Sequence, residues 1–102
     1  MFLFLMEFEW DPIKAIINFK KHGVTFEEGS SVFADELAWI IDDPAHSLSE
    51  RREIIIGTSS ARQLLFVSFT MRAPRTRIIS ARRANRMERQ DYEDQKFKEK
   101  AN

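Results

Sequence analysis

Arg51–Arg83, RREIIIGTSSARQLLFVSFTMRAPRTRIISARR, decides the fold. It holds three runs of strand-forming residues, Arg51–Thr58, Arg62–Arg72 and Thr76–Arg83, separated by Ser59-Ser60-Ala61 and by a short step through Ala73-Pro74. Connections that short leave no room for a crossover, so the three runs are antiparallel neighbours. In the middle run, alternation puts Leu65, Val67, Phe69 and Met71 on one face and Leu64, Phe66, Ser68, Thr70 and Arg72 on the other. The second face starts apolar and ends polar. Such a strand belongs in the middle of a sheet, with one end of that face opening into a groove.

Upstream, Ala38–Asp42 reads as a further strand, followed by the polar loop Asp43–Ser49 with Pro44 near its start. Leu3–Glu9 predicts a first strand that stops at Asp11-Pro12. An Asp oxygen accepts an orphan backbone N–H and proline at the first helical position gives up a donor with no partner, so a helix starts there and runs to about His22. Ile13, Ile16 and Ile17 with Phe19 or Lys20 give it a mostly apolar stripe, and Gly23 supplies the left-handed residue that ends it. Thr25 and Glu28 form a capping box for a second, weak helix over Phe26–Ala34, weakened by Gly29 and two serines. Asn85 and Glu88 form another, so a last helix runs from Arg86 to about Lys98 with a sparse stripe of Met87, Tyr92 and Phe97. The expected fold is α+β: an N-terminal strand and two helices, an antiparallel four-stranded sheet segment, and a C-terminal helix. At 102 residues, 1–102 is expected to be a single domain.

The formal net charge is zero, with 16 basic and 16 acidic residues, and by its sum argues against nucleic acid. Its distribution argues the other way. Residues 1–50 hold three Lys, no Arg and ten acids, a net −7, whereas residues 51–102 hold thirteen bases and six acids, a net +7. All ten Arg fall between Arg51 and Arg89, where the only acids are Glu53 and Glu88. The planar guanidinium presents a fixed fork of donors that matches phosphate, so a dense Arg set on a small sheet reads as a phosphate-backbone surface. The competing reading is that these arginines sit on strand edges and pair with the acidic half.

Several chemistries are excluded. The chain has no Cys, which removes disulfides, thiol catalysis and Cys-ligated zinc and fits a reducing, cytoplasmic setting. His22 and His46 stand far apart without metal-ligand spacing, so no metal or other cofactor is expected. There is no glycine-rich phosphate loop and no nucleophile elbow. The lead MFLFLM lacks a basic flank and is too short to span a membrane, and no other segment is apolar enough. Arg, His, hydroxyls and Tyr suffice for metal-free RNA cleavage, in which a ribose 2′-hydroxyl attacks the adjacent phosphate. His46, in its proline-bearing loop, is the better placed histidine for proton transfer, or else it holds the turn through Asp42, Asp43 or Ser47. His22 suits a helix C-terminus, where the dipole favours a cation.

The residues also carry a family pattern. Phe8-Glu9-Trp10-Asp11-Pro12-Ile13-Lys14, Asn18, Lys21-His22-Gly23-Val24, Phe26, Phe33 and Asp35 resemble the opening of the BrnT family, toxins of bacterial type II toxin–antitoxin pairs. His46-Ser47, Glu50-Arg51-Arg52, Ile56-Gly57, Val67, Phe69-Thr70, Arg72, Arg77-Ile78-Ile79-Ser80-Ala81-Arg82, Ala84, Glu88-Arg89 and Tyr92 continue the resemblance in order, over about residues 6–92. Ala61 precedes Arg62 where the family commonly has Gly, and residues 1–5 fall outside the pattern as a possible N-terminal extension before Met6. The resemblance implies a RelE-like fold and a small endoribonuclease that cleaves mRNA and arrests growth. Its partners would be RNA and a BrnA-type ribbon-helix-helix antitoxin, with operator DNA bound only through the antitoxin and no membrane. It implies catalytic roles for Lys21, His46, Arg52, Arg72 and Arg82, with Glu50 as proton acceptor. Ser80, on the same pleat face as Arg82, would orient it or the scissile phosphate. Arg62, Arg75, Arg77 and Arg83 are the expected RNA contacts. The alternative is a non-catalytic RNA- or ribosome-binding module using the same Arg-rich sheet.

Overall fold

The computed structural model describes residues 6–101, and side chains through Lys96. Its elements are β1 (Glu7–Glu9), α1 (Pro12–His22), α2 (Phe26–Ser31) continued by a 3-10 turn (Val32–Ala34), β2 (Trp39–Asp42), a 3-10 turn (Pro44–His46), β3 (Glu53–Thr58), β4 (Leu64–Arg72), β5 (Arg75–Arg83) and α3 (Arg86–Ala101). The expected α+β class and element order hold. The expected Leu3–Leu5 and Phe97 side chain lie outside the described residues.

The sheet is larger than the four-stranded segment the sequence suggests. It has five strands in the order β1-β5-β4-β3-β2, antiparallel except that β1 lies parallel to β5, Phe8 opposite Thr76. β1 joins because both of its faces find partners. Phe8 packs on the Phe33 ring at 5.2 Å, while Glu9 reaches Arg77 at 2.8 Å. β4 is the central strand, as its two-faced pattern requires.

A bulge sets which β5 side chains share a face. Ser68 pairs with Ser80 but Phe69 pairs with Ile78, so Ile79 is the extra residue. Ile78 and Ala81, three positions apart, therefore both enter the core beneath α1 and α2 with Leu65, Val67 and Phe69. The opposite face receives Arg75, Arg77, Ser80 and Arg82, each across from Arg72, Thr70, Ser68 and Phe66 of β4. Unbroken alternation would have turned Arg82 to the other side.

Asp11 caps α1 by accepting from the Ile13 and Lys14 N–H groups, and Gly23 closes it at φ 70. The helix is laid down with its apolar stripe outward: Ile13, Ile16, Ile17 and Phe19 are exposed, while Asn18 is buried. The reason is a polar need underneath. Beyond the end of β1, β5 has a free edge, and Asn18 fills it, donating to Ala81 O at 2.8 Å and accepting from Ala81 N at 3.1 Å. Gly29 lets α2 close on the same strand, since a Cβ there would lie 3.1 Å from Ala81 Cβ.

On the other face a second apolar cluster gathers Ile54, Ile56, Leu64 and Tyr92, covered by α3. The Asn85–Glu88 capping box forms reciprocally, both bonds at 2.8 Å. α3 covers only the upper part of this face; below it Ser68 and Thr70 are buried, Thr70 under the Arg51 backbone, and Arg72 and Arg75 are exposed. No helix among the described residues is long and apolar enough to cross a membrane.

Candidate functional site

The α3-side face of β4 and β5 is organised in cross-strand rows. Phe66 and Arg82 form the uppermost, Ser68 and Ser80 the next, then Thr70 and Arg77, then Arg72 and Arg75 at the lower end. Arg52, immediately before β3, and the β2–β3 loop flank the lower rows. Ser47 ties that loop down, its hydroxyl donating to Asp43 O at 2.7 Å and accepting from the Arg52 N–H at 2.9 Å. Thr70 donates to Arg51 O at 2.6 Å, fixing the same segment from the sheet.

His46 and Arg52 line one open pocket of about 270 Å³ with Ala45, Leu48 and Ser49. His46 Nδ1 lies 3.0 Å from Asp43 Oδ2, which leaves Nε2 as the ring nitrogen available to a ligand. Both readings of His46 are thus compatible, since the turn contact uses only one nitrogen. Arg52 Nε is buried without a hydrogen-bond partner. A buried guanidinium N–H without an acceptor is costly unless a bound group supplies one.

Three arginines of this face are held by carboxylates. Arg72 reaches Glu50 at 3.3 Å, Arg77 reaches Glu9 at 2.8 Å, and Arg82 makes two parallel 2.8 Å bonds to Glu88. The Arg82 guanidinium also lies 4.0 Å above the Phe66 ring centroid. Burial pushes the Glu88 carboxyl up, but the Arg82 bonds and the Asn85 N–H outweigh it and hold it below the usual carboxylate value. Arg82 is thereby fixed in orientation, and with Nη1 also donating to Arg83 O at 3.2 Å, two of its five N–H donors remain free for a ligand. With Arg51 on Asp42 at 2.7 Å, the pairing of arginines with acids from the first half is partly realised.

The expected site residues do not all meet. His46, Glu50, Arg52, Arg72, Ser80, Arg82, Arg75 and Arg77 lie on or beside one face. Lys21 does not: it is exposed in the last turn of α1, on the opposite layer of the sheet. Arg62, at φ 61 in the β3–β4 turn, and Arg83, bonded to Gln63, sit at the far end of the sheet from Arg72, with Arg83 about 23 Å away at strand spacing. The left-handed Arg62 occupies the turn where Ala61 departs from the family's Gly. Glu9, Phe66 and Glu88 were not expected as site residues. Glu88 was legible only as a cap, yet the same Oε1 that accepts from Asn85 N accepts from Arg82.

This arginine-bearing sheet face can be set beside known proteins. The profile of the BrnT ribonuclease toxins of type II toxin–antitoxin systems matches residues 10–88. The chain belongs to the BrnT family. It is accordingly a ribonuclease toxin of a type II pair, a class defined by an antitoxin partner and an RNA target. The 1.1 Å crystal structure of the Brucella abortus ribonuclease toxin BrnT superposes with a TM-score of 0.62 at 23% identity, over 79% of this chain and 99% of that one, and so shares the fold. No curated protein sequence matches significantly. The BrnT profile ends at Glu88, inside the first turn of α3, so the Arg82–Glu88 clamp lies at its last matched residue.

Proposed function

We propose that this BrnT-family chain is a metal-independent endoribonuclease that cleaves mRNA on the open sheet face, and that a ribbon-helix-helix antitoxin of the BrnA type neutralises it. The observation that carries the site is the pocket that His46 and Arg52 line together, next to the Arg72 and Arg75 row of the sheet. A phosphate is the group that a guanidinium in such a pocket suits best. Arg52 binds the scissile phosphate and Arg82, stacked on Phe66, offers its remaining donors to the charge that develops on it. Ser80, on the row between Arg82 and Arg77, orients the same group.

Glu50 or His46 takes the proton of the ribose 2′-hydroxyl. The 2′-oxygen forms a bond to phosphorus, the bond from phosphorus to the 5′-oxygen breaks, and that oxygen takes a proton from the partner acid. The products carry a 2′,3′-cyclic phosphate and a 5′-hydroxyl. Arg75 and Arg77 extend the track along the strand, whereas Lys21, Arg62 and Arg83 act away from the reacting phosphate if they touch RNA at all.

Expression without antitoxin tests this reading. Growth arrest by the native chain and normal growth with equally abundant Arg52→Ala are expected; arrest by Arg52→Ala at native levels removes the pocket from the site. Salt-sensitive RNA binding without any cleavage would instead favour a binding module.

A further inference from the structure

The outward stripe of α1 is not explained by the fold or by the proposed cleavage. Ile13, Ile16, Ile17 and Phe19 are 65%, 54%, 58% and 51% exposed, four large apolar side chains on one eleven-residue helix. A contiguous patch of this kind marks a surface that another molecule covers. Beside it, a groove of about 280 Å³ runs between α1 and the start of α2, with Ala15, Ile16, Phe19 and Phe26 as its apolar lining and Lys20 and Glu27 at its edge. That hollow is sized for one or two large side chains.

The charge around the patch selects the occupant. The three bases of the first 50 residues, Lys14, Lys20 and Lys21, all lie on α1, and α1 contains no acid. None of the three forms an ion pair among the described residues. The cap residue Asp11 is committed to the Ile13 and Lys14 N–H groups. A second copy of this chain would set three Lys against three Lys, so self-association through α1 is disfavoured. An amphipathic helix with an acidic rim satisfies both features, its apolar anchors filling the groove and its carboxylates meeting the lysines.

We infer that α1 is the docking surface for an acidic amphipathic helix of the antitoxin. The inference rests on the toxin–antitoxin reading. It places antitoxin anchorage on the layer opposite the proposed RNA face, so capture of the toxin and blockage of its groove are separate tasks for separate segments of the partner.

The test titrates a ribbon-helix-helix antitoxin of the BrnA type onto the purified full-length toxin by calorimetry. Ile16→Glu, at an exposed position, is expected to weaken binding roughly 30-fold or more, as loss of an interface anchor does. Lys14→Glu with Lys20→Glu is expected to weaken it less and to flatten its salt dependence. Free Ile16→Glu toxin should cleave RNA at the native rate, with an unchanged melting temperature. Native affinity for Ile16→Glu overturns the proposal, as does a free toxin that is dimeric and becomes monomeric on Ile16→Glu. Tighter antitoxin binding by a chain starting at Met6 also overturns it, since residues 1–5 would then be the occupant. Failure of RNA cleavage by every version, with antitoxin binding still lost on Ile16→Glu, would sink the ribonuclease mechanism and leave the docking surface standing.

Discussion

Tyr92 Oη donates a 2.7 Å hydrogen bond to Asp35 Oδ2, tying α3 to the turn after α2 across 57 residues of sequence. Asp35 serves two further donors, the Thr58 N–H at 2.8 Å through Oδ2 and the Leu37 N–H at 2.9 Å through Oδ1. One carboxylate thus joins the helical layer, the end of β3 and the C-terminal helix. Together with the burial of Tyr92 against Ile54, Ile56 and Leu64 and the Arg82–Glu88 bonds, this junction holds α3 over the sheet.

Asp35→Ala strands three donors and is expected to destabilise the fold by about 2–3 kcal/mol, against about 1 kcal/mol for Tyr92→Phe, which leaves the carboxylate its other partners. Urea unfolding of the two variants checks the order; equal losses would contradict it.

The same bond gives a pH dependence. Burial raises the Tyr92 phenol above its ordinary value, Asp35 adds to this, and the Thr58 bond opposes it. The folded state therefore holds this proton more tightly than the unfolded chain. The contribution is complete below about pH 10, the unfolded phenol value, and is lost as pH rises through the folded value. Alkaline melts should show native protein losing more stability than Tyr92→Phe over that range.

Glu88 behaves oppositely. Its carboxyl is held below the ordinary value, so its contribution is present above about pH 4.3 and is lost as pH falls through the folded value. Glu88→Gln should flatten the acid limb of the stability curve. Because Glu88 is bonded to Arg82, and Arg82 is the group proposed to meet the phosphate, the variant should lower the cleavage rate less than Arg82→Ala, for which a loss of about 10²–10³ is expected from removing one charge-stabilising group. Single-turnover cleavage separates the two; equal losses would make the clamp itself essential.

Asn18→Leu tests the edge seal of β5. It removes a buried amide that holds both backbone groups of Ala81 and also donates to Val24 O at 3.1 Å, and should cost about 3 kcal/mol. Hydrogen exchange at Ala81 should accelerate at once. An unchanged amide there would mean that another group covers the edge.

The sequence made the sheet legible where short connections and alternation left one solution, as in Leu64–Arg72. Caps at Asp11, Thr25 and Asn85 set the helix starts for the same local reason. Alternation failed at Ile79, because a bulge is a property of two paired strands and not of one. It failed on α1 because a stripe shows that a helix has an apolar face but not what covers it, and here Asn18 had the stronger claim on the sheet. The site was half legible. His46 follows from residue type and its loop, and Arg52, Arg82 and Glu50 from the family pattern, while Glu88 and Phe66, which hold Arg82, depend on contacts between elements far apart in the chain, and Lys21 matches the family pattern yet lies on the opposite layer.

The central claim is metal-free cleavage at the Arg52–His46 pocket, and the most direct measurement is the end chemistry of RNA cut by the purified chain in excess EDTA. The account predicts undiminished cleavage leaving 2′,3′-cyclic phosphate and 5′-hydroxyl ends, no cutting of a strand whose 2′-hydroxyl is removed at the cleaved step, and loss of cutting by Arg52→Ala with its melting temperature unchanged. Cleavage that stops in EDTA, or that leaves 3′-hydroxyl ends, would contradict it.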